Sequence, residues 1–227
     1  MTFIRSFDKY KRMKYESTPD ADTDSASTRE ALLRTGARLF AQRGFDGASV
    51  RAITAEAGAN LGAITYHFGS KESFYDAVVD SVVSPFAESV LAAGRTDGPP
   101  LDRLERVVRA YFGHLSEHPE IPRLVMQGVM ATGLPPGMAS ERLKGLLSML
   151  AGIVSEGQAD GSIRAGDPRL LGLGVVSQSL HLAVMRDALS SIAGIDLTEP
   201  SMRESLSQHL VRFVRGGLAT GGHESEA

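Results

Sequence analysis

Residues 49–71 read SVRAITAEAGANLGAITYHFGSK, and their interpretation decides the fold. Ser49 is suited to accept a backbone N–H at the start of a short helix carrying Val50, Ile53 and Ala57, and Gly58 takes the positive φ that ends it. Asn60 is placed to cap a second helix over residues 61–68, in which Ile64 and Phe68, four apart, form the inward stripe. Leu61, Gly62, Ala63, Thr65 and Tyr66 are then left on the outer side. Ala57 has to be small because the second helix crosses close to it. Two short helices joined by such a turn make a helix-turn-helix, which presents its second helix to the DNA major groove. Eight residues at ~1.5 Å rise span ~12 Å, comparable to the width of that groove.

Upstream, Leu33, Ala37 and Phe40 recur at helical spacing between Ser27 or Thr28 and Gly44, with Arg29, Arg34, Arg38 and Arg43 around the remaining surface. Downstream, a helix starting at Ser70 carries Phe74, Ala77, Val78 and Val82 along one side. Helical periodicity then returns over residues 101–117, 121–132, 140–158, 168–189 and 199–218, where Asp167 caps a helix opened by Pro168. No alternating strand pattern occurs, so an all-α fold of about nine helices is expected. Composition sets off a flexible tail (1–27) and a short tail (221–227), and the chain between them reads as a helix-turn-helix domain (28–75) and a larger helical domain (76–220).

Composition narrows the function. The chain has 227 residues, 42% hydrophobic and 22% charged, which suits a globular protein. It has no cysteine, so disulfide scaffolds, thiolate metal sites and thiol nucleophiles are excluded. No secretory-type segment or long continuous apolar run is evident, and a soluble, cytoplasmic protein is expected. Net charge is −3, and the acidic and basic side chains of residues 28–80 cancel, six of each. DNA affinity must therefore come from local placement: the helix starts at Ser49, Asn60 and Ser70, together with Arg29, Arg51 and Lys71. The basic residues of the tail, such as Arg5, Lys9 and Lys11, offer either an ordinary leader or an arm for further phosphate contacts.

The combination LFAQRGFDGASV (39–50) and AITAEAGANLGAITYHFGSKESFY (52–75), with its aromatic-His-Phe-x-Ser-Lys-Glu run at 66–72, resembles the tetracycline-repressor (TetR) family of bacterial transcription regulators. The likeness implies a homodimer whose three-helix DNA-binding domain is joined by a fourth helix to a divergent domain that dimerises and binds an effector. Carried over by position, the base-facing residues are Leu61, Gly62 and Ala63, and the backbone-contacting ones are Thr65, Tyr66, His67 and Lys71. Many members have a polar or basic residue where Leu61 stands, Thr where Ala63 stands and Tyr where Thr65 stands. Apart from Asn60, side chains that bond guanine or adenine in two places are missing, so thymine-methyl contact, Tyr66 and DNA shape are expected to carry the readout. Plainer roles stay open: Lys71 as a solvated cation, Tyr66 as a surface aromatic, His67 as a donor to a carbonyl.

In the larger domain, Leu171, Val175 and Leu182, with Met202, Leu206, Leu210 and Phe213, form stripes that suit either a four-helix dimer interface or the core of one subunit. Tyr111, Phe112, Met126, Met130, Met149, Gln178 and His181 are candidates to line an effector pocket, since methionine adapts to irregular apolar cavities. The run His114-Leu-Ser-Glu-His118 matches the H-x-x-E-H pattern of zinc peptidases, but it sits in a helix's last turn with no third ligand in view. Gly172-Leu-Gly174 is better read as close helix packing than as a dinucleotide loop. The resulting expectation is a repressor, not an enzyme, released from a palindromic operator by a partly apolar small molecule. Its partners are duplex DNA and a second copy of the chain, with no cofactor, metal or membrane. An all-α hydrolase using His114 and His118, and an architectural DNA-binding module, are the competing classes.

Overall fold

The computed structural model describes residues 19–221, and the parts of the expected tails at 1–18 and 222–227 lie outside them. Ten α-helices follow one another: α1 (Pro19–Gly47), α2 (Val50–Glu56), α3 (Ala63–Phe68), α4 (Lys71–Arg95), α5 (Pro100–Glu117), α6 (Glu120–Thr132), α7 (Ala139–Ala159), α8 (Pro168–Val184), α9 (Arg186–Ala193) and α10 (Pro200–Leu218). The described residues hold no named strand; one isolated antiparallel bridge pairs Ile163 with Ala219. The expected nine helices become ten because the segment read as a single helix over 168–189 breaks at Met185, whose ψ of 6° leaves the helical well.

Helix α1 begins at Pro19 and not at Ser27 or Thr28, so residues 19–27 extend a helix where a tail was expected. Adding turns to a formed helix needs no new nucleus, and proline's fixed φ suits a first helical position. Gly44, the expected stop, does leave helical geometry (φ 72°, ψ 176°), but one further turn carries the chain to Gly47. At the start of α8, the Asp167 carboxylate accepts from the Arg169 N–H at 2.9 Å, as the Asp-Pro pair foretold.

Leu32, Leu39 and Phe40 of α1, Ile53 of α2, Ile64 of α3 and Phe74 of α4 are sealed from solvent and clamp the first three helices onto the start of the fourth. The Phe40 ring lies 5.7 Å from Phe74 and meets Tyr75 edge-on at 4.9 Å. Burying a side chain of this size stabilises the fold by roughly 1.5–3 kcal/mol. Helix α4 is apolar enough by composition to pass for a membrane span. Here its apolar side is buried: Val83, Phe86 and Val90 continue the core towards Leu104, Val108 and Phe112 of α5 and Leu150 of α7. Gly172 of α8 is also buried, where a Cβ would sit 3.1 Å from the Leu150 Cβ and the Ala151 nitrogen of α7. Gly174 instead faces open space.

Candidate nucleic-acid interface

The Ser49 side chain accepts from the Ala52 N–H at 3.2 Å, so α2 starts with the expected cap. Gly58 takes φ 67° in the turn, and Gly69 (φ 84°) ends α3. The expected cap at Asn60 is not formed. The Ala63 N–H bonds the Asn60 backbone carbonyl at 2.9 Å, the residue before the helix is Gly62, and α3 has six residues. Residues 60–63 thus close as a backbone turn, which meets the donor that a side-chain cap would otherwise serve. Ser70 caps α4 by accepting from the Ser73 N–H at 3.1 Å.

Ile64 is 1% exposed and Phe68 packs against Phe74 at 4.8 Å, seating α3 as its four-residue spacing required. The opposite side faces water. Tyr66 is 81% exposed and Leu61 62%, Gly62 and Thr65 are exposed, and Ala63 is half-buried. His67 is half-buried, its ring 4.8 Å from that of Tyr66. Asn60, Ala63, Tyr66 and His67 share a concavity of about 470 Å³ with Thr28 of α1. Thr28 was legible only as a helix cap, because nothing local in the sequence says that the first helix reaches the turn.

The expected cations are placed unequally. Arg51 is exposed on α2. Arg29 lies over the Phe68 ring at 5.1 Å, so its stem and charge also brace the recognition helix. The Lys71 Nζ donates to the Phe45 carbonyl at 2.6 Å and sits 4.4 Å from that residue's ring. It is therefore not a merely solvated lysine: one of its three donors ties α4 to the turn after the α1 kink. Arg38 is committed to Glu56 across α1 and α2.

The expected effector residues do not converge. Tyr111 and Phe112 are packed in the core, Tyr111 against Phe86 at 5.0 Å, and burial pushes the Tyr111 phenol up to about 12. Met149 is half-buried near Gly94, Gln178 is half-buried on α8, and His181 points to solvent. Met126 and Met130 do share a cavity, a cleft of about 940 Å³ between α1, α4 and α6. The stripe expected for a dimer interface is largely turned inward. Val175 and Leu210 are monomer core at 2% and 1% exposure, and Leu171, Leu182, Met202 and Leu206 are half-buried. Phe213 is exposed, as are Leu170 and Leu173 on the neighbouring side of α8, which the sequence reading passed over. His114 and His118 lie ring to ring at 4.6 Å, and His118 Nδ1 is 3.3 Å from Glu120. Desolvation, then the neighbouring His118, hold the His114 imidazole below its usual range. Among the described residues no group of three or more metal-ligating side chains comes together.

A seated short helix with a bare aromatic face, opening a chain of long helices, defines a helix-turn-helix DNA-binding regulator. Comparisons agree. Residues 32–78 match the bacterial regulatory proteins of the tetR family, and residues 100–214 match the tetracyclin repressor-like C-terminal domain. The chain is 30% identical over 152 residues to the HTH-type transcriptional repressor KstR2 of Mycolicibacterium smegmatis, covering 64% of this chain and 72% of that one. The structure of the ketosteroid regulator KstR2 of Mycobacterium tuberculosis superimposes with a TM-score of 0.67 at 21% identity, covering 85% of this chain and 95% of the other. AibR, solved with isovaleryl coenzyme A and operator DNA, gives 0.67 at 20% identity, covering 82% and 97%. The chain belongs to the TetR family of transcriptional regulators.

Proposed function

We propose that the protein is a cytoplasmic repressor that binds a palindromic operator as a homodimer and leaves it when a small molecule binds. The observation that carries this reading is the outer face of α3: an aromatic ring, Tyr66, stands almost fully in water on a helix held rigidly from behind by Ile64 and Phe68. An exposed ring on a rigid mount is poised for contact rather than for packing. Leu61 and Ala63 offer methyl contact to thymine, and Thr65, Tyr66, His67 and the remaining donors of Lys71 meet the backbone. Arg29, Arg51 and the capped starts at Ser49 and Ser70 add phosphate contacts, while Asn60, exposed and not used as a cap, offers its side chain to a base edge or phosphate. KstR2 is named a repressor and AibR was solved with operator DNA, which supports the same use of this domain.

The dimer in this reading uses the outward sides of α8 and α10, where Leu170, Leu173 and Phe213 are exposed and Gly174 leaves room for close approach. Differential affinity of the effector for two arrangements of the pair drives release. No step of catalysis is assigned to the chain. The test is a gel shift with a duplex selected from genomic fragments by the purified protein, against a scrambled duplex of equal length. Preference for the selected duplex, lost together with the dimer in a Leu173→Glu/Phe213→Glu variant, is expected. Equal binding to both duplexes would instead indicate an architectural module.

A further inference from the structure

The cleft of about 940 Å³ between the DNA-binding domain and α6 has a wall and a rim of different character. Phe45, Tyr75, Met126 and Met130 supply an aromatic and thioether wall, with Phe45 and Tyr75 meeting edge-on at 5.3 Å. Asp46, Glu72 and Asp76 line the same space and all three are exposed. The one basic residue of the lining, Arg123, is paired with Asp187. Its volume is that of a small-molecule site, which falls at roughly 300–1,000 Å³. An apolar body has somewhere to lie, and a positive charge has the three carboxylates to meet it. The Phe45 ring already carries the Lys71 ammonium 4.4 Å from its centroid, so the acidic rim and not that ring face supplies the attraction. An acyl coenzyme A, with several phosphates, meets the opposite of what it needs.

We infer that this cleft is a binding site for an amphipathic organic cation, an aromatic or alkyl body bearing a quaternary or otherwise permanent positive charge. The inference rests on the ligand-responsive reading and gives it a site and a ligand class. Burial, and then Asp76, push the Tyr75 phenol above its ordinary value, so the ring stays neutral. Glu72 is held below the usual carboxylate range by its own backbone N–H and the Ser70 hydroxyl, so it stays charged. The cleft also spans a junction. Gln127 of its α6 wall donates from Nε2 to the Ala41 carbonyl at 3.2 Å, one turn before the kink at Gly44. An occupant touching Phe45 and Gln127 therefore touches both sides of the contact between the DNA-binding domain and the rest of the chain.

The test is calorimetric titration of the full chain, without DNA, with tetraphenylphosphonium, neutral triphenylphosphine oxide and isovaleryl coenzyme A. The cation should bind about tenfold or more tightly than the neutral compound, and a Glu72→Gln/Asp76→Asn variant should lose about that factor for the cation alone. Asp46→Asn is a second variant that leaves the cap of α4 untouched and should lower cation affinity in the same direction. Equal binding of cation and neutral compound, cation binding unmoved by either variant, preference for the coenzyme A ester, or no cation binding would each overturn the inference. Since no DNA is present, such a failure leaves the operator reading standing, and a failed gel shift leaves this titration unaffected.

Discussion

The helix-turn-helix and the outer face of α8 both present apolar side chains to water, yet they are built by different means. The first is written in short-range signals: a serine cap at 49, a left-handed glycine at 58, and an inward pair at Ile64 and Phe68, all within 23 residues. The second depends on which of several apolar sides of α8 is taken by α5 and α7, a matter of long-range packing. Local grammar makes one region rigid and readable. Competition among helices decides the other.

The largest effect that sharpens this contrast is at the core beneath both regions. Phe40→Ala in the first domain and Phe112→Ala in the second should each cost about 3–5 kcal/mol, because both rings are sealed and leave a cavity. Since their side chains belong to one continuous cluster, calorimetry should show both variants lowering a single shared transition. Two separate transitions, each moved by one variant only, would break the picture of a joint core. Next in size is Tyr66→Ala. It should weaken operator binding by about 1–3 kcal/mol, measured by anisotropy, while thermal stability stays within about 0.5 kcal/mol of the parent. Ser49→Ala should cost about 1 kcal/mol in urea unfolding, since the capping bond to Ala52 is lost.

Lys71→Gln is subtler, because Lys71 also holds the Phe45 carbonyl. The slope of log affinity against log salt should fall by about 1, read from titrations at several salt concentrations. The smallest effect is in the body and concerns pH. The Arg169 side chain, then the Arg169 N–H, bring the Asp167 carboxyl down to about 2 from an ordinary 3.8. A depressed carboxyl stabilises the fold above its ordinary value and loses that contribution as pH falls towards 2. An Asp167→Asn variant should accordingly melt lower than the parent at neutral pH and converge with it near the acid end of that window.

The legibility of the sequence follows the same division. The caps at Ser49, Ser70 and Asp167, the stop at Gly58, and the seat made by Ile64 and Phe68 rest on neighbours a turn or two away. Asn60 misled because a backbone turn and a side-chain cap satisfy the same donor, and sequence does not choose between them. Val175 and Leu210 were read as possible interface because α8 is apolar on most sides, so spacing alone cannot tell the covered face from the open one. The cleft was half legible. Met126 and Met130 share one helix, but Phe45, Glu72, Tyr75 and Asp76 join them only through the fold. Tyr111 and Phe112, chosen for their chemistry, were claimed by packing.

Hydroxyl-radical footprinting of the parent and of Tyr66→Ala on a duplex selected by the purified protein tests the central claim most directly. Two protected half-sites on one side of the duplex, about 10 base pairs or a small multiple of that apart, and faded protection at both in the variant are the predicted outcome. A single or unphased protected tract, or a variant footprint that matches the parent's, would contradict it.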